Sequence, residues 1–477
     1  MALRIVRVAN FVTPTSGGLR TALRRLGEGY LAAGHRPVLV VPGPEAADEE
    51  TEQGRVVTVP GPLVPGMGGY RVLLDRARVA ATLEALRPDR LEVSDRTTLR
   101  WTGRWAREHG VPAAMVSHES LDGVLRVWGL PGPAARRVAD VLNARTARDY
   151  TRIICTTEWA AREFRRLDTA DLRLAPLGVD LTLRHPCARD AALRAELAGP
   201  GQVLLVLCSR LSPEKRPERA LDALAELRRR GVSVVLAIAG DGPLRARLAV
   251  RAEREGLPVR FFGHIADPAR LSAVLASADV ALAPGPVETF GLAALEALAC
   301  GTPVVASASS ALPPILGDAG LAAADDGVAF ADAVQRLLGR PEAQRRATAR
   351  ARAERYGWDA SVSAFLAAHE AEPAPRPAGA PASAPGSAPA GDAVGDAAED
   401  MAGRADEAAE PHRPGWPVRP AEDGSIPAER GARLGADAPE HAADESADGR
   451  ADAAVDPLAE QPLGGFHHIL RSKGAVR

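Results

Sequence analysis

Lysine is almost missing from this chain: of its 59 basic residues, only Lys215 and Lys473 are lysines. Such an arginine bias reflects a GC-rich coding sequence more than a function, yet it makes the mid-chain lysine conspicuous. Cysteine is scarce as well. Cys155, Cys187, Cys208 and Cys300 are scattered, with no CxxC pair and no histidine at ligand spacing, which argues against a disulfide framework or a zinc site. Three of them lie in apolar strand or helix patterns, as buried reduced thiols of a cytosolic protein do. No run approaches the roughly 18 apolar residues of a membrane span, and the opening MALRIVRVANFV lacks a signal core and a cleavage site. The GxGxxG fingerprint is absent, which counts against an oxidoreductase built on dinucleotide-binding domains. No dense basic stripe marks a nucleic-acid binder. The expectation is a cytoplasmic protein, peripheral at most to the inner face of the plasma membrane.

The 477 residues suggest more than one domain, and 46% hydrophobic content supplies a sizeable core. Charge is unevenly spread. Residues 371–477 carry 19 acidic and 10 basic side chains, a net of −9, so the overall −2 leaves +7 for the rest. A mildly basic front part suits anionic small molecules or an anionic membrane surface. The apolar runs LRIVRVA, RPVLVVP, RLEVS, AAMVSHE and RIICTT alternate with helical stretches, the signature of a parallel sheet with crossover helices. The pattern loosens after LAPLGVDL and restarts at QVLLVLCSRL, followed by VSVVLAIAG, VRFFGH, ADVALAP and TPVVAS. The fold class is therefore α/β, with two Rossmann-like, doubly wound domains facing a cleft. We place them at 1–181 and 182–355, followed by a C-terminal helix at 356–371. From 372 to 477 the Ala, Pro, Gly and acidic composition predicts a disordered tail. Its last stretch, GGFHHILRSKGAVR, reads as a docking peptide or an unstructured end.

Several loops fall at carboxyl ends of the strands, where such folds bind ligands. Each also has an ordinary structural reading. Gly17 and Gly18 in TPTSGGLRTAL let backbone N–H groups approach an anion at a helix N-terminus, or form a plain strand-to-helix turn. SRLSPEKRPE sets Arg210 and Lys215 five apart across a proline-bearing loop, two cations for a phosphate or a solvated surface loop. Gly240 and Asp241 in AGDGPLR, His264 in FFGH and His118 in MVSHES end further strands. A lone histidine is more often structural, but these would face the cleft.

The stretch PVETFGLAALEALACGTPVV is the most unusual. Glu288 precedes an apolar helix, and Glu296 lies two turns into it. A carboxylate on a buried helix is costly unless something pairs with it. Eight residues separate the two by up to roughly 12 Å, about the spacing between the hexose and ribose hydroxyls of a bent nucleotide sugar. The helix N-terminus between them would face the diphosphate, and ligand hydroxyls would then satisfy Glu296.

With Gly17-Gly18, His118, GVD at 178–180, Arg210 with Lys215, and GDGP in this order, the two glutamates resemble the Glu-x7-Glu signature of family-four retaining glycosyltransferases of the GT-B fold. The likeness covers residues 1 to about 370. PGPVETFGLAALEALACGTPVV, LEVSDR and SHESLD are most similar to actinobacterial GDP-mannose-dependent mannosyltransferases acting on phosphatidylinositol mannosides or glucuronosyl-diacylglycerol. The resemblance implies an acceptor side in the first domain and a nucleotide-sugar donor side in the second. Arg210 and Lys215 would neutralise the departing diphosphate, approached by the Gly18 backbone. Glu288 and the backbone N–H groups of Phe290, Gly291 and Leu292 would hold the hexose, with His118 beside it. Glu296 would take the ribose hydroxyls, and backbone near His264 the base. Leu177 departs from the asparagine that many relatives carry before the glycine, which bears on local acceptor contacts. No metal and no other cofactor is implied. The apolar loop PGPLVPGMGG and a helix from Tyr70, in YRVLLDRARVAATLEALR, would either rest on anionic lipid or pack on the first sheet. Two other readings stay open from the sequence: a UDP- or ADP-sugar transferase with a soluble or other acceptor, and a non-catalytic nucleotide-sugar-binding protein.

Overall fold

A computed structural model describes residues 1–12, 17–64, 69–127 and 129–370. The expected disordered tail lies outside the described residues, as do residues 65–68 of the PGPLVPGMGG loop. Two sheets organise the rest. The first contains β1 (Arg4–Val8), β2 (Arg36–Gly43), β3 (Ala47–Thr51), β4 (Gly54–Pro60), β5 (Arg90–Val93), β6 (Ala113–Ser117), β7 (Arg152–Cys155) and β8 (Leu172–Leu174), in the order β3-β4-β2-β1-β5-β6-β7-β8. The second contains β9 (Val203–Cys208), β10 (Val234–Ala239), β11 (Val259–Gly263), β12 (Val280–Ala283), β13 (Val304–Ser307) and β14 (Gly320–Ala323), in the order β11-β10-β9-β12-β13-β14.

Sequence explains the pattern. The runs in β9 and β10 are continuously apolar because helices cover both faces of the sheet, and all six residues of β10 are buried. Among the described strands the antiparallel pair is β3 with β4. Every residue of β3, ADEET, is exposed, and its carboxylates discourage another strand from adding to that edge. In each sheet the strand order reverses beside the first strand of its lobe, β1 in one and β9 in the other. That reversal opens a crevice at the carboxyl ends of the strands.

The helix expected from Tyr70 begins later, at Arg76–Leu86, capped by Asp75, whose side chain accepts from the Arg78 N–H. Its Val79, Leu83 and Leu86 are buried in the first lobe's core, so packing on the sheet, not lipid, claims its apolar face. Cys155 and Cys300 are buried and Cys208 nearly so, whereas Cys187 is exposed.

The chain passes between the lobes twice, and the two passages run side by side. The Val179 N–H donates to the Tyr356 carbonyl at 2.8 Å, and Val179 bridges Gly357. A Cβ on Gly178 would lie 2.6 Å from Trp358 Cα, so glycine is needed for this approach. Leu177 is buried in the same apolar cluster as Leu204 and Phe365. The side chain that stands in place of asparagine is thus engaged in core packing. The closing helical region is two helices, Glu342–Ala353 and Trp358–Ala368, interrupted at Glu354–Tyr356 where the chain recrosses. The last helix lies on the first lobe, with Val362 so close to Gly29 that a Cβ there would sit 2.2 Å away.

A buried polar cluster fastens that return. Glu92 on β5, 1% exposed, accepts from the Tyr30 hydroxyl at 2.9 Å, and the same oxygen lies 2.9 Å from His369 Nε2. Arg7, equally buried, stacks over the Tyr30 ring and donates to the Leu23 carbonyl at 2.5 Å. Burial opposes ionisation of Glu92, but His369, Arg7 and Tyr30 together hold its carboxyl below the usual range. Removing the carboxylate leaves a buried guanidinium without its counter-charge. Glu92→Ala is expected to cost about 3–5 kcal/mol in urea unfolding. Asp48→Ala, which opens the exposed pair with Arg55 on the sheet edge, is expected to cost less than about 1 kcal/mol. Equal costs would show that the cluster holds nothing in place.

Candidate active site

Residues following β9 and β12 line a cavity of about 180 Å³ at the second sheet's switch point. Arg210, Lys215, Glu288, Gly291 and Leu292 contribute from the second lobe and Gly18 from the first. The lobes touch here: a Cβ on Gly18 would sit 3.3 Å from Leu292 Cδ1. The volume is below the roughly 300–1,000 Å³ of pockets that engulf a drug-sized ligand.

Lys215 ends the short turn Pro213–Lys215, whose Ser212 carbonyl accepts the Lys215 N–H at 3.0 Å. Its Nζ lies 2.5 Å from Glu288 Oε2, with both side chains about a fifth exposed. The sequence reading gave these two residues separate tasks, diphosphate and hexose; the structure pairs them with each other. Arg210 is half exposed and reaches the other lobe. Its guanidinium stands 6.0 Å over the Tyr70 ring, with one nitrogen 3.4 Å from the Tyr70 hydroxyl. Its carboxylate neighbour, Glu214, is 3.6 Å away.

Gly291 precedes the helix Leu292–Ala299 with φ at 78°, a left-handed conformation that favours glycine. A Cβ would also meet Leu312 Cδ2 at 2.4 Å. Phe290 is buried, so its side chain anchors the loop in the core. The first N–H groups of the helix have no partner within it. Glu296 does not need a ligand to offset its burial. Arg184, from the LTLRHP passage, places a guanidinium nitrogen 3.3 Å from its Oε1. Burial still pushes the Glu296 carboxyl up, with Arg184 pulling it back. An arginine in a stretch that reads as a polar connection gave no sequence signal of this role.

On the first lobe, His118 follows β6 and its Nε2 is 3.3 Å from the Ser94 hydroxyl after β5. It is partly open, yet deep enough that burial pushes its pKa down to about 4, so the ring is neutral at physiological pH. The loop after it is held by Glu163, which accepts from the N–H groups of Leu121 and Asp122 at 2.9 and 2.7 Å and pairs with buried Arg96 at 3.3 Å. Beside it, Asn10 after β1 donates to Asp95 at 2.8 Å and accepts the Leu73 N–H at 2.8 Å. Neither network was legible in the sequence.

Not every expected site residue lines the cavity. Gly17, His118, Gly240, Asp241, His264, Phe290 and Glu296 lie outside its lining. Gly240 is where two backbones meet: a Cβ there would lie 1.9 Å from the Ser209 carbonyl. That contact seats the GDGP loop against the Arg210 loop. Asp241 caps the Gly242 N–H at 2.7 Å and pairs with Arg245 at 2.8 Å. His264 is exposed after β11. Among the described residues, no three His, Cys, Asp or Glu side chains gather to hold a metal ion.

Two Rossmann-like lobes whose switch points bring a basic loop and a glycine-led helix N-terminus together have the architecture of the GT-B class, to which glycosyltransferases belong. Comparison with known proteins agrees. A glycosyl transferase 4-like domain matches residues 17–179, and glycosyl transferases group 1 match residues 189–354. Over 369 residues the chain is 51% identical to the GDP-mannose-dependent alpha-(1-6)-phosphatidylinositol dimannoside mannosyltransferase of Mycobacterium tuberculosis, covering 76% of this chain and 95% of that protein. A GDP-mannose-dependent alpha-mannosyltransferase of Mycolicibacterium smegmatis is 29% identical over 310 residues, 64% of this chain and 79% of that one. Among solved structures, sucrose-phosphate synthase from Thermosynechococcus elongatus superposes with a TM-score of 0.63 at 22% identity, covering 77% of this chain and 98% of that one. Anabaena HepE in complex with UDP gives 0.61 at 18%, covering 77% and 100%. The chain belongs to the family-four glycosyltransferases.

The folded-state pKa of His118 lies below its ordinary value of 6.5, so the unfolded chain takes up the proton first. Stability is therefore lost as pH falls from about 6.5 towards about 4. At pH 5 this group is expected to cost on the order of 1–2 kcal/mol relative to pH 7.5. His118→Gln should lack that share of the loss in urea unfolding at the two pH values; the same acid loss in the variant would place the cause elsewhere.

Proposed function

We propose that the protein transfers mannose from GDP-mannose to a lipid-linked phosphatidylinositol mannoside, with retention at the anomeric carbon. The observation that carries this reading is the 51% identity over 369 residues, which spans both lobes and so both the donor and the acceptor side. Arg210 and Lys215 neutralise the leaving diphosphate, which the backbone at Gly17 and Gly18 approaches from the other lobe. Glu288 and the N–H groups of Phe290, Gly291 and Leu292 bind the hexose, and Glu296 binds the ribose. Backbone of the Gly240-Asp241 loop and near His264 meets the base. His118, neutral, sits beside the hexose as a hydrogen-bonding group. The cavity suits the sugar and the adjoining phosphate, with the nucleoside in the open cleft.

In the reaction the bond from the anomeric carbon to the phosphate oxygen breaks, and GDP leaves with the electron pair. The short-lived oxocarbenium ion is attacked by the acceptor hydroxyl on the face GDP leaves. The departing phosphate oxygen takes that hydroxyl's proton. Catalysis rests on charge stabilisation and positioning. An ammonium has three N–H donors, so Lys215 takes a phosphate oxygen without surrendering Glu288.

A lipid acceptor requires contact with a bilayer. What supports this is the outer face of the helix Gly132–Asp149. Its acids turn to protein partners, Asp140 to Arg166 and Asp149 to Arg107 and Arg100. Arg137, Val138, Val141, Arg145 and Arg148 stay exposed, an apolar and cationic face suited to anionic lipid.

Two measurements test the reading. Calorimetry on the full chain should show GDP binding well ahead of UDP and ADP, and Lys215→Ala should lower kcat about 100-fold with a smaller change in GDP affinity. A preference for UDP or ADP would overturn the donor. Separately, Val138→Asp with Val141→Asp should abolish sedimentation with phosphatidylinositol-containing vesicles while leaving GDP binding intact. Unchanged sedimentation would remove this face from the lipid contact.

A further inference from the structure

Arg184 sits on the first passage between the lobes, with its side chain turned inward and only 7% exposed. One terminal nitrogen donates to the Pro268 carbonyl at 2.6 Å and lies 2.7 Å from the Ser272 hydroxyl. The other lies 3.3 Å from Glu296 Oε1, and Nε has no partner among the described residues. A buried guanidinium with an unmet N–H is expensive. Holding the passage in place does not demand it. Arg350 already ties the carbonyls of Leu181, Arg184 and Ala299, and Ser272 donates to the Leu183 carbonyl. What Arg184 alone supplies is a positive charge beneath Glu296.

Among the described residues Glu296 has no other such support. The ionisable groups around it are Asp180, which disfavours its charge, and the thiols Cys208 and Cys300, both pushed up to about 12. Arg350, which acts on Cys300, spends one terminal nitrogen on backbone carbonyls and its Nε on Glu354. Only Oε1 of Glu296 is engaged by protein; Oε2 has no partner among the described residues, and the side chain stays 27% exposed. The carboxylate is thus fixed at one oxygen and open at the other, the arrangement that accepts hydroxyl hydrogens from a vicinal diol.

We propose that Arg184 is a positioning residue of the donor site, fixing one oxygen of Glu296 and keeping the carboxylate charged so that the other meets the ribose hydroxyls of the nucleotide. It does so without touching the donor. The inference rests on the reading of Glu296 as the ribose carboxylate. Without Arg184, burial and Asp180 act on Glu296 unopposed, and a protonated carboxyl is a poorer acceptor for a hydroxyl.

The test uses the full-length protein and calorimetry with GDP and with its dideoxyribose analogue, from about pH 6 to about pH 8.5. Wild-type affinity for GDP should be flat across this range. Arg184→Met should bind GDP about tenfold more weakly at the acid end and recover towards the alkaline end, as expected for a carboxyl that is mostly protonated at about pH 6 and ionised by about pH 8.5. Its affinity for the dideoxyribose analogue should match the wild type. Arg184→Lys, which keeps the charge and guards against misfolding of the methionine variant, should show a flat profile. In a Glu296→Gln background, Arg184→Met should add no further loss. Equal weakening towards GDP and the analogue would make Arg184 a purely structural rivet and overturn the proposal. So would wild-type binding by Arg184→Met at the acid end while Glu296→Gln is weakened. Wild-type GDP binding by Glu296→Gln would instead remove the ribose reading, and this inference with it.

Discussion

A single backbone hydrogen bond, from the Val179 N–H to the Tyr356 carbonyl, marks the constraint on which the molecule turns. Two sheets of similar construction are joined by two passages of chain, and those passages pair with each other. A doubly linked hinge restricts twisting more than a single linker would, so the switch point of one sheet stays opposed to that of the other. Everything in the cleft depends on this opposition: Gly18 against Leu292, and Tyr70 under Arg210. The glycine at 178 and the break between the last two helices exist to let the passages approach. The Glu92 cluster then fixes the end of the second passage to the first lobe.

The site's charges are mostly paired before any donor arrives. Lys215 holds Glu288, and Arg184 holds Glu296. Buried and half-buried charges demand such partners, and the demand shapes the ligand chemistry. Among the described residues each pair leaves hydrogen-bonding capacity unspent, N–H donors on Lys215 and one oxygen on Glu296, which is the capacity the proposed donor would use. Arg210 differs, being exposed and stacked on an aromatic ring across the cleft, which makes it the cation most able to move.

Strands with continuous apolar runs were legible because burial on both faces leaves no ambiguity: QVLLVLCSRL and VSVVLAIAG became β9 and β10. The β3–β4 hairpin was not, since ADEET is wholly exposed and carries no alternation. The short β8, LRL, is likewise largely exposed, and β14, GLAA, is only four small or apolar residues long. Among candidate site residues, Gly18, Arg210, Lys215 and Glu288 could be picked out from their loops and spacing, and Gly291 and Leu292 from the family resemblance; the structure gathers all six around one cavity. Arg184, Tyr70 and Asn10 could not. Their importance comes from which distant segment they meet, and one among dozens of arginines says nothing about that. The puzzle of Glu296 could be posed from sequence but not solved there, because its partner lies 112 positions away.

The rarity of lysine has a practical consequence. Lys215 is the one lysine among residues 1–370, and Lys473 is the other in the whole chain. Amine chemistry that spares arginine, such as reductive methylation with isotopically labelled carbon, therefore installs a reporter inside the cleft with only the N-terminus and one tail position as background. The composition of the chain makes its own cleft lysine a nearly unique spectroscopic address, with no residue needing to be replaced.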